Sequence, residues 1–87
     1  MKITIVYSEP EQVSSINMPA ELEVLYLDEN SLKTRRKAHG LKGSFAAKET
    51  PCVFVYNDKN EVYKVFYAEV SKDPIRDFLD WYVKLDK

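Results

Sequence analysis

The residues most able to take part in chemistry are one cysteine, Cys52, one histidine, His39, and a serine and a glutamate three positions apart. The last two, Ser8 and Glu11, follow the first apolar run directly, in the stretch YSEPE that begins at Tyr7. A serine becomes a nucleophile only beside a base, and the neighbouring sequence offers none, because His39 falls in a separate predicted helix. One cysteine and one histidine exclude an internal disulfide and argue against a zinc site. The sequence therefore predicts no metal, no cofactor and no catalytic residue.

Length and composition describe one small soluble domain. The chain has 87 residues, of which 45% are hydrophobic and 31% are charged, and its formal net charge is −1. A chain of this length has room for one sheet and a few helices, so we expect a single domain over residues 1–87. The first residues run directly into a strand-like segment, and no apolar stretch has the length of a signal peptide or a membrane span. The expected location is the cytoplasm, without membrane contact.

Hydrophobic periodicity divides the chain into seven elements in the order βαβαββα. A short segment at 10–16 predicts at most two helical turns. A second helix is predicted from an N-cap at Asn30 or Ser31 to its end at Gly40, followed by a loop from Lys42 to Thr50. The turn sequence NDKNE should join the last two strands as a hairpin. Strands are predicted where β-branched and aromatic residues alternate, at residues 2–7, 22–29, 52–56 and 62–67.

The final helix has the clearest local signals. Asp73 suits the N-cap position, and Pro74 suits the first helical position, where its missing N–H is not needed. Trp81 lies just outside the apolar stripe of this helix, which consists of Ile75, Phe78, Leu79, Tyr82 and Leu85. Two strands joined by a helix are normally parallel, and a hairpin is antiparallel. The sequence therefore predicts an α/β domain with a mixed four-stranded sheet and helices on both faces.

The element order resembles that of the thioredoxin-like superfamily in its small, glutaredoxin-sized form, over nearly the whole chain. YSEPE is similar to the family's aromatic-Cys-x-Pro-Cys segment, with Tyr7 and Pro10 matching and Ser8 and Glu11 in place of the two cysteines. The family's chemistry needs a thiolate of lowered pKa and a second thiol, so the resemblance implies a domain without dithiol oxidoreductase activity. The chain also resembles small thioredoxin-like reading frames carried by large bacteriophages.

Ser8 and Glu11 have a structural interpretation as well. The pattern S-x-x-E at the start of a helix is a capping box. In it the hydroxyl of Ser8 would accept the N–H of Glu11, and the carboxylate of Glu11 would accept the N–H of Ser8, for about 0.5–2 kcal/mol. We expect this role for the pair rather than a chemical one.

The stretch ETPCVFVY is similar to the family's loop that ends in a threonine and a cis-proline, here Thr50 and Pro51. In the family the residue before that proline presents its backbone to an extended peptide, and this pairing needs no cysteine. The resemblance implies a protein or peptide partner bound near Phe45, Thr50 and Pro51.

Cys52 follows directly and has two interpretations. Strand alternation places it beside Phe54 as an inert core thiol, while its position near the family's active site allows a glutaredoxin-like monothiol role.

A basic segment is the remaining candidate for binding. Residues 31–48 carry six Lys or Arg and no acid, while residues 8–30 carry six acids and no Lys or Arg. Such asymmetry can indicate a surface for polyanions. Here the bases would spread around a helix, and a net charge of −1 argues against a nucleic-acid partner. The residues concerned are Lys33, Arg35, Arg36 and Lys37.

Overall fold

Four strands form one mixed sheet in the computed structural model, which describes residues 1–31 and 35–85 and, at residue 35, the backbone alone. The strand order is β2, β1, β3, β4, with β1 parallel to β2 and the other two pairs antiparallel. The predicted α/β class and mixed four-stranded sheet are therefore confirmed. The elements are β1 (Lys2–Tyr7), a 3₁₀ turn (Pro10–Gln12), β2 (Glu23–Asp28), α1 (Arg35–Ser44), β3 (Cys52–Tyr56), β4 (Val62–Phe66) and α2 (Pro74–Leu85).

Helix α2 packs on one face of the sheet. At its start the carboxylate of Asp73 accepts the N–H of Arg76 at 3.1 Å, so Asp73 is the N-cap that the sequence predicts. Alternate residues of β1 and β3 face the helix, as expected where both faces of a sheet are covered. The buried cluster on this side consists of Ile3, Ile5, Val53, Val55, Ile75 and Phe78.

The apolar stripe of α2 ends one turn earlier than predicted. Leu85 is exposed, so its assignment to the stripe is wrong. Trp81, placed outside the stripe by the sequence, instead packs edge-on against Phe66 with ring centroids 5.7 Å apart, and Tyr82 stacks on Phe78 at 6.0 Å. These two aromatic side chains complete the apolar contact with the sheet, and the last turn adds nothing to it.

Helix α1 covers the opposite face. Its Ala38 is fully buried against residues that alternate with those facing α2, which gives the sheet a helix on each side. In the described parts of the chain no helix combines the length and the apolar character needed to cross a membrane. The second buried cluster consists of Val6, Leu27, Ala38, Ala47, Cys52 and Phe54.

Helix α1 continues past Gly40, so the predicted end at that residue and the loop predicted from Lys42 are both wrong. The helix closes with a Schellman arrangement, in which the N–H of Ala47 donates to the carbonyl of Lys42 at 2.9 Å and Ala46 takes the left-handed conformation with φ 58°. The cause is tertiary. The buried ammonium of Lys42 lies 2.5 Å from the carboxylate of Glu29, which ties the extra turn to the end of β2.

The helix predicted over 10–16 is reduced to a single 3₁₀ turn. The N–H groups of Val13 and Ser14 both donate to the carbonyl of Pro10, at 3.1 and 3.0 Å, and the helical pattern stops there. Val13 and Ile16 pack against the cluster beneath α2. Two apolar residues give too little packing to stabilise a longer helix, because short helices depend on tertiary contacts.

Candidate functional site

The end of β1 and the start of β3 lie side by side and bring Ser8 next to Thr50, 42 positions away in the chain. The ladder pairs Val6 with Cys52, so the residues that follow one strand and precede the other meet just beyond it. The hydroxyl oxygens of Ser8 and Thr50 are 2.6 Å apart and share a hydrogen bond. The peptide bond between Thr50 and Pro51 is cis. This contact between two predicted site residues is the centre of the candidate site.

The capping box predicted for Ser8 and Glu11 is wrong. The 3₁₀ turn begins at Pro10 with Glu9 as its N-cap, one residue later than predicted, so Gln12 occupies the third position of the turn. The side-chain oxygen of Gln12 accepts the N–H of Ser8 at 2.9 Å and the N–H of Glu9 at 3.3 Å. Glu11 is exposed, and the hydroxyl of Ser8 is directed toward the neighbouring strand instead.

Gln12 also reaches across to the second strand. Its side-chain nitrogen donates to the backbone carbonyl of Thr50 at 3.2 Å. One half-buried side-chain amide therefore holds both the first turn and the entry to β3. An amide can do this because its oxygen accepts hydrogen bonds while its nitrogen donates them. No local pattern in the sequence predicts this role for Gln12.

Replacing Gln12 with alanine should lower the free energy of unfolding by about 1–2 kcal/mol, because four hydrogen bonds lose their side-chain partner. The matched control is Glu11→Ala at the neighbouring exposed position, expected to change stability by less than about 0.5 kcal/mol. Urea denaturation followed by circular dichroism measures both. Equal losses in the two variants would contradict the roles assigned here to Gln12 and Glu11.

The end of β2 supports the same site. The half-buried Tyr7 accepts the N–H of Glu29 through its carbonyl at 2.8 Å. The side-chain nitrogen of Asn30 donates to the carbonyl of Ser8 at 2.5 Å. Three strand ends are thus joined through backbone groups around Ser8, and the segment cannot shift without breaking these bonds.

The loop before Thr50 is held from its other side by Glu69. The carboxylate of Glu69 accepts the N–H groups of Lys48, through a short contact, and of Glu49, at 2.7 Å. Slight desolvation acts to raise the pKa of the exposed Glu69, but backbone hydrogen bonds and the charge of Lys42 outweigh it and leave the pKa lowered. Residues 48–50 therefore run between two anchors, Glu69 on one side and Gln12 on the other.

A shallow groove of about 460 Å³ lies beside this loop. Phe45 forms part of its floor and packs edge-on against the buried Phe54, with ring centroids 5.6 Å apart. Val70, 83% exposed, is the most accessible of the large apolar side chains that the structure describes. Phe45 thus lies in the groove beside the loop, whose lining includes neither Ser8 nor Thr50. The groove is lined by Phe45, Ala46, Lys48, Tyr67, Glu69 and Val70.

Comparison with known proteins identifies no relative. No family model matches the chain, and no curated protein or solved structure matches it. The function is therefore inferred from the geometry of this edge of the sheet.

Cys52 lies within the core, on the face with Phe54 that strand alternation predicts. Its exposure is 0%, and burial raises the pKa of its thiol from 9.0 to about 12, against the attraction of the Lys42 ammonium. A thiol in this state is scarcely ionised near neutral pH and has no route to a large disulfide substrate. These observations weigh against the monothiol alternative.

The remaining candidates do not join the site. His39 is exposed on α1, and no three His, Cys, Asp or Glu side chains of the described residues gather as a metal site would require. Of the basic residues, Arg36 and Lys37 are exposed, while Lys33 and the side chain of Arg35 lie outside the described residues. The described residues thus add no feature that favours nucleic-acid binding.

Proposed function

We propose that this chain is a thioredoxin-like domain without redox catalysis that binds an extended protein segment at the edge formed by Ser8, Thr50 and Pro51. The observation that carries the proposal is the 2.6 Å contact between the hydroxyls of Ser8 and Thr50, which sets the end of β1 against the entry to β3. The strand order and the helix on each face of the sheet are compatible with that family's architecture. Neither position 8 nor position 11 carries a thiol.

Preorganisation of residues 48–50 favours binding over catalysis at this edge. Glu69 holds the N–H groups of Lys48 and Glu49, and Gln12 holds the carbonyl of Thr50. A loop fixed in this way loses little conformational entropy when a ligand binds to it. The carbonyl of Thr50 retains a second lone pair, so a partner strand can pair with it while the bond from Gln12 persists.

The groove beside the loop supplies the apolar part of the interaction. A peptide that pairs with Thr50 can direct a side chain toward Phe45, Tyr67 and Val70, and its alternate residues toward solvent. Lys48 and Glu69 at the rim would select polar neighbours on the peptide. The expected ligand is therefore an extended segment with an apolar anchor residue.

To test this proposal, we would select binding peptides from a random library displayed on phage. The selected peptides would then be synthesised, and their affinities measured by calorimetry. Val70→Asp and Thr50→Asp should each weaken binding at least tenfold, because one places a charge in the groove and the other a charge at the pairing position. Phe45→Ala should act in the same direction. Because Phe45 also packs on Phe54, its variant is interpreted beside its melting temperature, whereas Val70 is exposed and has no such core role.

The matched control is Val83→Ala, an exposed apolar position on α2. It should leave the affinity unchanged. The proposal fails if the library yields no binder, or if selected peptides bind Val70→Asp and Thr50→Asp as tightly as the unmodified protein.

A further inference from the structure

A cavity of about 440 Å³ lies on the face of the sheet that α1 covers, at the end where β1 and β2 begin. Toward the other end of these strands, Val6 and Leu27 are buried together with Ala38 of the helix. Leu25 shares the face of Leu27, because the two are two positions apart in β2, but it is 44% exposed. Helix α1 thus leaves part of its face open. The volume of the cavity is in the range of small-molecule sites.

Three neighbouring strands form the floor of the cavity. In register, Thr4 of β1 lies opposite Leu25 of β2. Lys2, two positions earlier, lies between Glu23 of β2 and Tyr56 of β3. All five residues line the cavity. From β2 to β3 the floor is two strand spacings wide, about 9.5 Å, so a flat ring can lie across it between the side chains of Leu25 and Tyr56.

The hydroxyl of Thr4 is the polar group at the centre of this floor. Thr4 is only 6% exposed, and within the described residues its side chain forms no hydrogen bond. No fully enclosed side-chain nitrogen or oxygen in that part of the chain lacks a partner, so this hydroxyl must open onto the cavity. A largely buried hydroxyl without a partner costs free energy, and a ligand that hydrogen-bonds to it removes that cost.

Two ammonium groups determine the charge of a suitable ligand. Lys2 and Lys37 line the cavity and are exposed, and neither forms an ion pair over the part of the chain that the structure describes. Glu23 is the only acid among the described lining residues, so two lysines and one glutamate give the cavity a formal charge of +1. This charge matches a monoanion. A dianion would place excess negative charge beside Glu23.

We propose that this cavity binds a small aromatic monocarboxylate. The ring packs on the apolar part of the floor, and the carboxylate lies beside Lys2 and Lys37 and accepts a hydrogen bond from the hydroxyl of Thr4. The cavity lies at the opposite end of β1 from Ser8 and Thr50. It therefore does not depend on the function proposed for that edge.

The probe is 2-naphthoate, titrated into the isotope-labelled protein and followed by nuclear magnetic resonance. Binding should saturate with a Kd of about 1 mM or tighter, as expected for a ligand of this size. Backbone signals of Thr4, Leu25 and Tyr56 should shift, while those of Phe45 and Val70 in the other groove should not.

Three related ligands separate the contributions of charge and ring. The neutral 2-naphthamide has nearly the same shape and should bind about fivefold more weakly or worse, because it loses the attraction of the two lysines. Acetate has the charge without the ring and should not saturate the protein. The dianion 2-naphthyl phosphate should bind no more tightly than 2-naphthoate, because of its repulsion by Glu23.

Thr4→Val separates ligand binding from a structural role. Valine keeps the shape of threonine but lacks the hydroxyl, so the affinity should fall about fivefold or more, while the melting temperature should stay the same or rise. Lys37→Gln should weaken binding about threefold or more, and Glu23→Gln should strengthen it about twofold or more. The matched control is Lys72→Gln, an exposed lysine outside the cavity, which should leave the affinity unchanged.

Several results would overturn the proposal. One is the absence of saturation by 2-naphthoate up to its solubility limit, and another is equal or tighter binding of 2-naphthamide. Tighter binding of 2-naphthyl phosphate would contradict the assignment to a monocarboxylate. Unchanged affinity in Thr4→Val, or equal losses in Lys37→Gln and Lys72→Gln, would show that the ligand does not use this cavity, as would shifts confined to the groove at Phe45 and Val70.

Discussion

Truncation of Phe78 to alanine is expected to lower the free energy of unfolding by about 3–5 kcal/mol, the cost of removing a buried aromatic ring and leaving a cavity. Phe78 is fully buried, and its ring contacts those of Phe66, Trp81 and Tyr82 at centroid distances of 5.8, 6.1 and 6.0 Å. Domains of this size have only about 5–15 kcal/mol of stability in total. The variant should therefore be partly unfolded at physiological temperature.

Urea denaturation followed by far-ultraviolet circular dichroism measures this loss without relying on Trp81, which the substitution touches directly. Val83→Ala on the same helix is the matched control, because Val83 is 61% exposed and should change stability by less than about 0.5 kcal/mol. Similar losses in both variants would show that α2 is not held to the sheet through Phe78.

The strands and the last helix could be predicted because their signals are short in range. In CVFVY, alternation alone assigns Cys52 and Phe54 to one face and Val53 and Val55 to the other, and the two clusters contain these pairs as assigned. Likewise the capping residue and the proline at the start of α2 act within one turn of the chain. Interactions between residues close in the chain were sufficient to predict the structure at these positions.

The ends of the other helices depend on distant partners and could not be predicted. Gly40 looks like a helix terminator only if Lys42 is taken as a solvated residue. In the fold the ammonium of Lys42 is buried against Glu29, 13 positions earlier, and the helix continues through Gly40 to that contact. An exposed ion pair contributes little, but a largely buried one is costly to break, so the partner determines where the helix can end.

The candidate site also has a part that could be predicted and a part that could not. The pairing of Ser8 with Thr50 was accessible only through the resemblance of two short stretches to a known family, since no local rule relates residues 42 positions apart. Gln12 and Glu69, which anchor the loop around Thr50, have no signal in the sequence. Each is an ordinary polar residue whose role arises from backbone groups that the fold brings within reach.

The thiol of Cys52 is expected to resist alkylation in the folded protein up to strongly alkaline pH. A pKa raised from 9.0 to about 12 by burial means that the rate should climb only toward pH 12, whereas in the unfolded chain it should climb near pH 9. At pH 8 the folded protein would hold about a thousandfold less thiolate than the unfolded chain. Because the thiolate is the reacting species, the alkylation rate should fall by at least that factor.

Iodoacetamide labelling read by mass spectrometry gives the rate in buffer and in concentrated urea, with Cys52→Ser as the blank. Labelling that does occur in buffer should pass through unfolding. Gln12→Ala should therefore accelerate it by the factor by which it raises the unfolding equilibrium constant, about 5- to 30-fold for a loss of about 1–2 kcal/mol, while Glu11→Ala should not. Rapid native labelling below pH 9, equal in all three proteins, would instead mean that a thiolate is stabilised beside Pro51. The glutaredoxin-like monothiol role would then be the better account of this domain, since a reactive cysteine would adjoin the edge at Thr50 and Pro51.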